Sequence, residues 1–354
     1  MLLKSLEEET SKIIMKRKIL ILGGGGFIGS AIARILSQRE NYNITIADNF
    51  HHNQDDEIFM NFVSDNNIKL FKADFTEKSS FDLLEDKYDD FYMLASMIGV
   101  NNTLENPHEI IRVNTALIYN SLEWVKNSSV KNVLFTSTSE CYSGTIDKFG
   151  YKVPTAEDIP LCVDPIGHPR FTYAITKMLG ESGFLNYSRV FGFNCKIIRY
   201  NNIIGPKMGF GHVIPHLVER FIDGESPFKI YGGDQTRAFC GIDDGALGTI
   251  QAMECKDAKH EIFHIGNDVE ITIEDLVKET GNYFNYKGIY ELAPTYPGSV
   301  SRRCPDLTKA RKMLGFNPKT DWKEALSKTL DWYVNYYNKN PENRFFKGPN
   351  KFYK

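Results

Sequence analysis

From Lys16 onward, short apolar runs alternate with stretches whose apolar residues recur at helical spacing. "KRKILILG" is a continuous apolar run closed by glycines, the pattern of a strand buried on both faces of a parallel sheet. "FIGSAIARILSQRE" follows with helical periodicity, and "YNITIAD" predicts a second strand. "IKLFKAD" and "FYMLAS" predict a third and fourth, with an acidic helical segment between them. A long helix is expected over "PHEIIRVNTALIYNSLEWVKNSS", then a fifth strand in "KNVLFTSTS". "GHPRFTYAITKMLGE" opens the next helix and "FNCKIIRYN" is a sixth strand. The alternation predicts an α/β fold, a right-handed, doubly wound parallel sheet with helices on both faces.

After residue 203 the pattern loosens. Loops rich in Gly and Pro, such as "GPKMGFGHVIP" and "TYPGSVSRRCPD", alternate with short helices, and "DWKEALSKTLDWYVNYY" predicts a closing amphipathic helix. Residues 16–203 are expected to form the sheet domain, with a segment near 238–268 returning to it. Residues 204–237 and 269–340 are expected to form a smaller α/β lobe over the carboxyl ends of the strands, where open α/β sheets bind ligands. Residues 1–15 read as an extension and 341–354 as a flexible tail.

Composition narrows the function classes. A net charge of -3 gives no reason to expect nucleic acid or a membrane surface as partner. Six scattered cysteines without a CxxC or a Cys/His cluster point to a reducing cytoplasm, and to neither a disulfide framework nor a structural metal site. No apolar run approaches the roughly 18–20 residues that span a bilayer, and the amino terminus lacks the order of a signal peptide.

"ILILGGGGFIGS" places Gly23, Gly26 and Gly29 directly after a strand and before a helix. The first allows the tight turn, the second lets backbone approach a pyrophosphate, and the third lets helix and strand pack closely. The helix start at Phe27 and Ile28 turns free N–H groups and the positive dipole end toward phosphate. Asp48 ends the second strand, where a carboxylate can accept both ribose hydroxyls of an adenosine. No Arg or Lys follows in "DNFHHNQ" to receive a 2′-phosphate, so NAD is favoured over NADP. Asp74, ending the third strand, can reach an adenine amine or cap its own loop, and Ala95 of "LAS" ends the fourth strand.

With a dinucleotide site upstream, Tyr173 and Lys177 acquire a role. Positions i and i+4 share one helix face, and a close ammonium favours the phenolate. Tyr173 would take a proton from a sugar hydroxyl as hydride leaves the same carbon. Lys177 would also bond the nicotinamide ribose, and the Thr138 hydroxyl would orient substrate and phenol.

At this point the sequence resembles the extended short-chain dehydrogenase/reductases, in their nucleotide-sugar epimerase/dehydratase branch. "GGGGFIG", "LAS", "VLFTSTSECYSG", "YAITK", "RYNNIIGP", "HVIPHLVERF", "IYGGDQTRAFCGIDD" and "PDLTKARKMLGFNP" carry the resemblance from about Lys16 to Trp332. It implies a Rossmann fold, bound NAD, a Thr138/Tyr173/Lys177 catalytic group, and transient oxidation at C4 of a nucleotide-diphosphate sugar. It also implies homodimers formed through helices near 106–127 and 171–190. Carried over residue by residue, Asn202 and Arg237 match phosphate-holding positions, and Val213 and Tyr231 match positions that flank the base. Arg302 and Arg303 are offered by the "SRR" turn, and one of them is expected on the diphosphate.

The step after C4 oxidation stays open at this level. The thymidine-linked dehydratases carry an Asp–Glu pair where this chain has Ser139 and Glu140, which weighs against that reaction. "TSE" together with Arg303 resembles the uronic-acid nucleotide decarboxylases. Glu140 is a candidate base at C5 or a polar contact to the C6 substituent. A net 4-dehydrogenase that releases the keto sugar is a further option. Two other classes compete: a non-catalytic dinucleotide-binding regulator, which needs no complete catalytic group, and a reductase of small ketones, which needs no nucleotide grip.

Overall fold

The computed structural model describes residues 16–51, 56–295 and 299–345, so the proposed extension and most of the proposed tail lie outside the described residues. The first half runs β1 (Arg17–Leu22), α1 (Phe27–Ser37), β2 (Tyr42–Asp48), α2 (Glu57–Asp65), β3 (Lys69–Lys72) and β4 (Asp90–Met93). It continues through α3 (Val100–Glu105), α4 (Pro107–Asn127), β5 (Asn132–Thr138), α5 (Thr145–Phe149), α6 (Thr172–Phe191) and β6 (Asn194–Tyr200). The acidic segment before β4 is a 3₁₀ turn, Lys78–Leu83, in place of the helix expected there.

β1 shows why its apolar run is unbroken. Ile19 and Ile21 enter one core with Ile32 of α1, while Leu20 and Leu22 enter another with Leu117 and Leu122 of α4 and Phe184 of α6. Side chains alternate across a strand, so a sheet covered on both faces needs apolar residues at every position.

The second half carries β7 (Ile203–Ile204), α7 (Val213–Ile222), β8 (Phe228–Tyr231), β9 (Thr236–Ala238), β10 (Cys240–Gly241) and α8 (Ile242–Glu254). β11 (Glu261–Ile265), β12 (Glu270–Thr272), α9 (Ile273–Tyr283), β13 (Tyr290–Ala293), β14 (Arg302–Arg303), α10 (Thr308–Leu314) and α11 (Trp322–Lys339) complete it. The main sheet has seven parallel strands in the order β3-β2-β1-β4-β5-β6-β11. β11 pairs with β6, and α8 packs on α1, so 242–265 belongs to the sheet layer. The order reverses between β1 and β4, the crevice where such sheets hold ligands.

A separate core joins α7, β8, α9 and α11 through Leu217, Val218, Phe228, Leu276, Leu330 and Tyr333. Small sheets lace this lobe: β12-β9-β14, β13-β8 and β10-β7. No helix among the described residues is long and apolar enough to cross a membrane.

Candidate active site

The loop after β1 is shaped by close approach. Gly23 has φ +85°, and a Cβ there would lie 2.5 Å from the Ala95 nitrogen. A Cβ on Gly29 would meet the Gly23 carbonyl oxygen at 2.3 Å. Only glycine fits either position. Asp48 reaches this loop directly, accepting from Gly25 N at 2.9 Å and Phe50 N at 2.8 Å. A glycine cradle, the amino end of α1 and a carboxylate at the end of β2 fit a dinucleotide. Asp74 stands exposed, and its carboxylate accepts from Thr76 N and Oγ1 at 2.9 and 2.8 Å, which is the loop-capping alternative.

α6 lies close on β5 because Gly180 has no side chain: a Cβ there would sit 2.2 Å from Phe135 Cζ. That approach packs the helix bearing Tyr173 and Lys177 against β5, the strand that Thr138 ends. Lys177 is 3% exposed, its Nζ 5.0 Å from the Phe135 ring centre and 5.6 Å from that of Tyr173. Burial lowers its pKa to about 7, against the pull of Cys141 and Glu181. Burial raises the Tyr173 phenol, Cys141 and Glu140 add to the rise, and a hydrogen bond with Ser96 opposes it.

This departs from the expected depressed phenol. Lys177 lies beside the ring, and desolvation acts on both groups against their charged forms. Thr138 Oγ1 accepts from Glu140 N at 3.2 Å and so starts the 3₁₀ turn Ser139–Tyr142 that presents Glu140.

Opposite this turn stands a group of arginines. Arg303 Nη1 donates to Glu140 Oε1 at 2.7 Å, with Arg170 and Arg237 also acting on that carboxylate. Burial pushes Glu140 up, but the three guanidiniums outweigh it and hold its pKa at about 2. Arg237 is lowered to about 9, by burial and then by Arg303, and its Nη1 donates to the Thr236 carbonyl oxygen at 2.7 Å. Two nitrogens of the group, Arg170 Nε and Arg303 Nη2, are buried without a hydrogen-bond partner.

Of the two turn arginines, Arg302 lies apart from Glu140. It is half exposed and forked onto Glu270 at 3.0 and 2.7 Å, facing away from the Arg303 side. Adjacent residues of a strand point to opposite faces, so the two guanidiniums take different partners.

Asn202, at φ +41°, donates its Nδ2 to the Ala238 carbonyl oxygen at 3.1 Å, fastening β9 to the end of β6. Val213 opens α7 and is 39% exposed, and Tyr231 ends β8 beneath the Arg220 guanidinium. Ser139 is buried at the foot of the Glu140 turn.

Three contributors were missed in the sequence pattern. Arg170 lies three residues before Tyr173, in the same stretch. Ser96 donates to Asn114 Oδ1 at 3.2 Å and opposes the rise of the Tyr173 phenol. Buried Asn114 accepts from Met97 N at 2.7 Å and donates to Thr176 Oγ1 at 3.2 Å, joining the loop after β4 to α6. A polar residue inside the apolar stripe of α4 was its available signal.

Comparison with known proteins points the same way. The model of the NAD dependent epimerase/dehydratase family matches residues 19–266. The chain is 32% identical over 333 residues to a UDP-N-acetyl-alpha-D-glucosaminuronate decarboxylase of Bacillus cytotoxicus, covering 90% of this chain and 98% of that one. It is 30% identical to UDP-glucuronic acid decarboxylase 5 of Arabidopsis thaliana, covering 87% of each. In fold it is similar to a UDP-glucuronic acid 4-epimerase from Bacillus cereus, solved with UDP-glucuronic acid and NAD. That likeness has a TM-score of 0.77 at 24% identity and covers 90% of this chain and 100% of that one.

Proposed function

The chain belongs to the NAD-dependent epimerase/dehydratase family, and from that membership we propose that it oxidises C4 of a nucleotide-diphosphate uronate and then releases its C6 carboxylate as CO₂. The first half-reaction is the oxidation of sugar C4. The Gly23–Gly29 loop, Asp48 and Lys177 would hold NAD, which when bound would supply a reversible hydride acceptor. Tyr173 takes the proton of the C4 hydroxyl, which Thr138 orients; because burial raises the phenol, the step needs Lys177 in its protonated form beside the ring to offset that rise.

The Glu140–Arg303 pair among three guanidiniums carries the second half. A carboxylate held near 2 is a weak base, because proton transfer works best with a pKa near the operating pH. That weighs against removal of the C5 proton, the step a dehydratase needs. Arg170 Nε and Arg303 Nη2, buried without partners, call for an anionic acceptor, and a guanidinium fork suits a carboxylate. A 4-keto uronate is a β-keto acid. Its C5–C6 bonding pair can pass into the C4 carbonyl as CO₂ leaves, and the resulting enolate takes a proton at C5. The names of the two decarboxylase relatives support a uronate and a uridine nucleotide.

Incubation with UDP-glucuronate and UDP-N-acetylglucosaminuronate tests this. The expected product is lighter by the mass of CO₂. A product of unchanged mass, or one lighter by water or by two hydrogens, would replace the reading with epimerisation, dehydration or net oxidation.

The same reading takes the protein to be a cytoplasmic homodimer. α4 and α6 pack together and leave Ile111, Tyr119, Leu179 and Phe191 exposed, an apolar surface suited to a second copy. All six cysteines are free thiols, as a reducing compartment would keep them. Light scattering should give a dimer, and Tyr119→Glu with Leu179→Glu should give a monomer. A wild-type monomer would remove this part.

A further inference from the structure

Beneath the reacting groups lies a buried polar cluster that neither half-reaction uses directly. Arg199 of β6, 3% exposed, forks onto Glu181 of α6, with Nε–Oε1 at 2.8 Å and Nη2–Oε2 at 2.6 Å. Ser137 donates to the same carboxylate at 2.5 Å. Arg199 Nη1 donates both to the Tyr142 phenol oxygen and to the Glu157 carbonyl oxygen, the latter at 2.9 Å. Tyr142 Oη lies 2.9 Å from His264 Nε2, and His264 Nδ1 lies 3.3 Å from the Asp306 carbonyl oxygen.

These contacts fix the direction of every proton. Burial keeps the His264 ring neutral, with its pKa down at about 3. Nδ1 faces a carbonyl and carries the hydrogen, so Nε2 accepts from Tyr142. The Tyr142 oxygen then accepts from Arg199.

Stability alone is a poor reason for such a cluster, since a buried ion pair is often no more stabilising than apolar residues of the same volume. What it connects is more informative. Glu181 stands one helical turn beyond Lys177. Tyr142 closes the 3₁₀ turn that presents Glu140, and Cys141 of that turn also bonds the Ala174 carbonyl oxygen of α6. Glu157 belongs to a segment laced to the strand of Arg303: Thr155 N donates to the Cys304 carbonyl oxygen at 2.9 Å, and Asp306 N to that of Thr155 at 2.7 Å. Glu157 Oε1 accepts from His264 N at 2.9 Å. The Arg199 guanidinium therefore touches one element that bears the Tyr173–Lys177 pair and two that set the Glu140–Arg303 pair.

We propose that Arg199 is a positioning residue which, through Tyr142 and Glu157, registers Glu140 and Arg303 against the sugar whose C4 hydroxyl faces Tyr173. The proposal rests on the two half-reactions given above. It acts on the second, because the links that branch from Arg199 end on the Glu140 turn and the Arg303 strand.

Tyr142→Phe is the most direct variant, since it removes one hydroxyl and leaves the Arg199–Glu181 fork intact. In single turnover with UDP-glucuronate, the NADH absorbance should rise at close to the wild-type rate. CO₂ release should slow by about tenfold or more, the size expected for one lost hydrogen bond to a charged group. The 4-keto uronate should then accumulate beside NADH, with KM unchanged. Arg199→Lys keeps the charge but not the fork and should show the same split. Arg199→Met leaves Glu181 buried and unpaired and invites misfolding. Tyr142→Phe and Arg199→Lys, each checked for folding by circular dichroism, therefore carry the test.

Proportional slowing of both steps in the folded variants, or no change in either, would overturn the proposal. If wild-type protein oxidises C4 but forms another product, the decarboxylase reading fails while positioning is still judged on the ratio of that product to NADH.

Discussion

Arg302 and Arg303 are neighbours in sequence with opposite surroundings, one forked onto Glu270 at the surface and the other buried against Glu140. Arg302→Ala should change turnover less than twofold, as expected for an exposed pair. Arg303→Met should leave NAD reduction measurable and suppress CO₂ release by two orders of magnitude or more, the scale set by losing a charged contact in the transition state. It should also cost roughly 1–3 kcal/mol of stability at neutral pH, between the exposed and buried limits for ion pairs.

That cost depends on pH with a definite sign. Wild-type Glu140, depressed from 4.5 to about 2, contributes stability above pH 4.5 that is lost as pH falls toward 2. Without Arg303, burial is less opposed and the carboxyl rises. The cost of the substitution should therefore shrink as the medium is acidified, and urea denaturation at two pH values would show it.

At this scale the sequence revealed residues whose spacing is itself the chemistry. The close approaches at Gly23 and Gly29 and the Lys177–Tyr173 juxtaposition were readable for that reason. Arg303 could not be told from Arg302, because the register of a two-residue strand depends on its partner β9. Arg170 follows no spacing rule, and its place beside Glu140 arises only when the turn before α6 folds back.

Among the elements, α6 matters most, because it carries the proposed proton-transfer pair and rests on β5 through Gly180. Gly180→Ala would set a methyl 2.2 Å from Phe135. Overpacking of that kind typically costs about 1–3 kcal/mol. The melting temperature should fall, and turnover should fall further than NAD affinity, because the glycine loop is left untouched. Equal loss of affinity and turnover would show that α6 is not the element at fault.

The long elements were legible from their periods: β1, β2, β5, β6, α4, α6 and α11 fall where apolar spacing placed them. The stretch before β4 differs from its expected helix. Its Lys78–Leu83 segment contains two adjacent serines, which compete for backbone hydrogen bonds and favour a short turn over a helix. β7, β10 and β14 are two residues long and carry no period at all.

For the molecule as a whole, the glycine loop follows β1 and the Glu140 turn follows β5, so both lie at the carboxyl ends of a sheet whose strand order reverses between β1 and β4. Two buried groups tie stability to pH. His264, lowered from 6.5 to about 3, is neutral in the folded protein but protonated once unfolded below 6.5. The unfolded state then binds the extra proton, so stability drops as pH falls from 6.5 toward 3. Lys177, lowered from 10.5 to about 7, works in the same direction between those values. His264→Gln should flatten the acid limb of a stability-against-pH curve, and an unchanged limb would count against a neutral buried ring.

The sharpest trial of the central claim uses UDP-glucuronate isotopically labelled at C6. The wild-type protein with NAD should release labelled CO₂, and Tyr173→Phe should release none because the 4-keto acid never forms. Label retained in the sugar nucleotide after the wild-type enzyme has reduced its NAD would contradict the account.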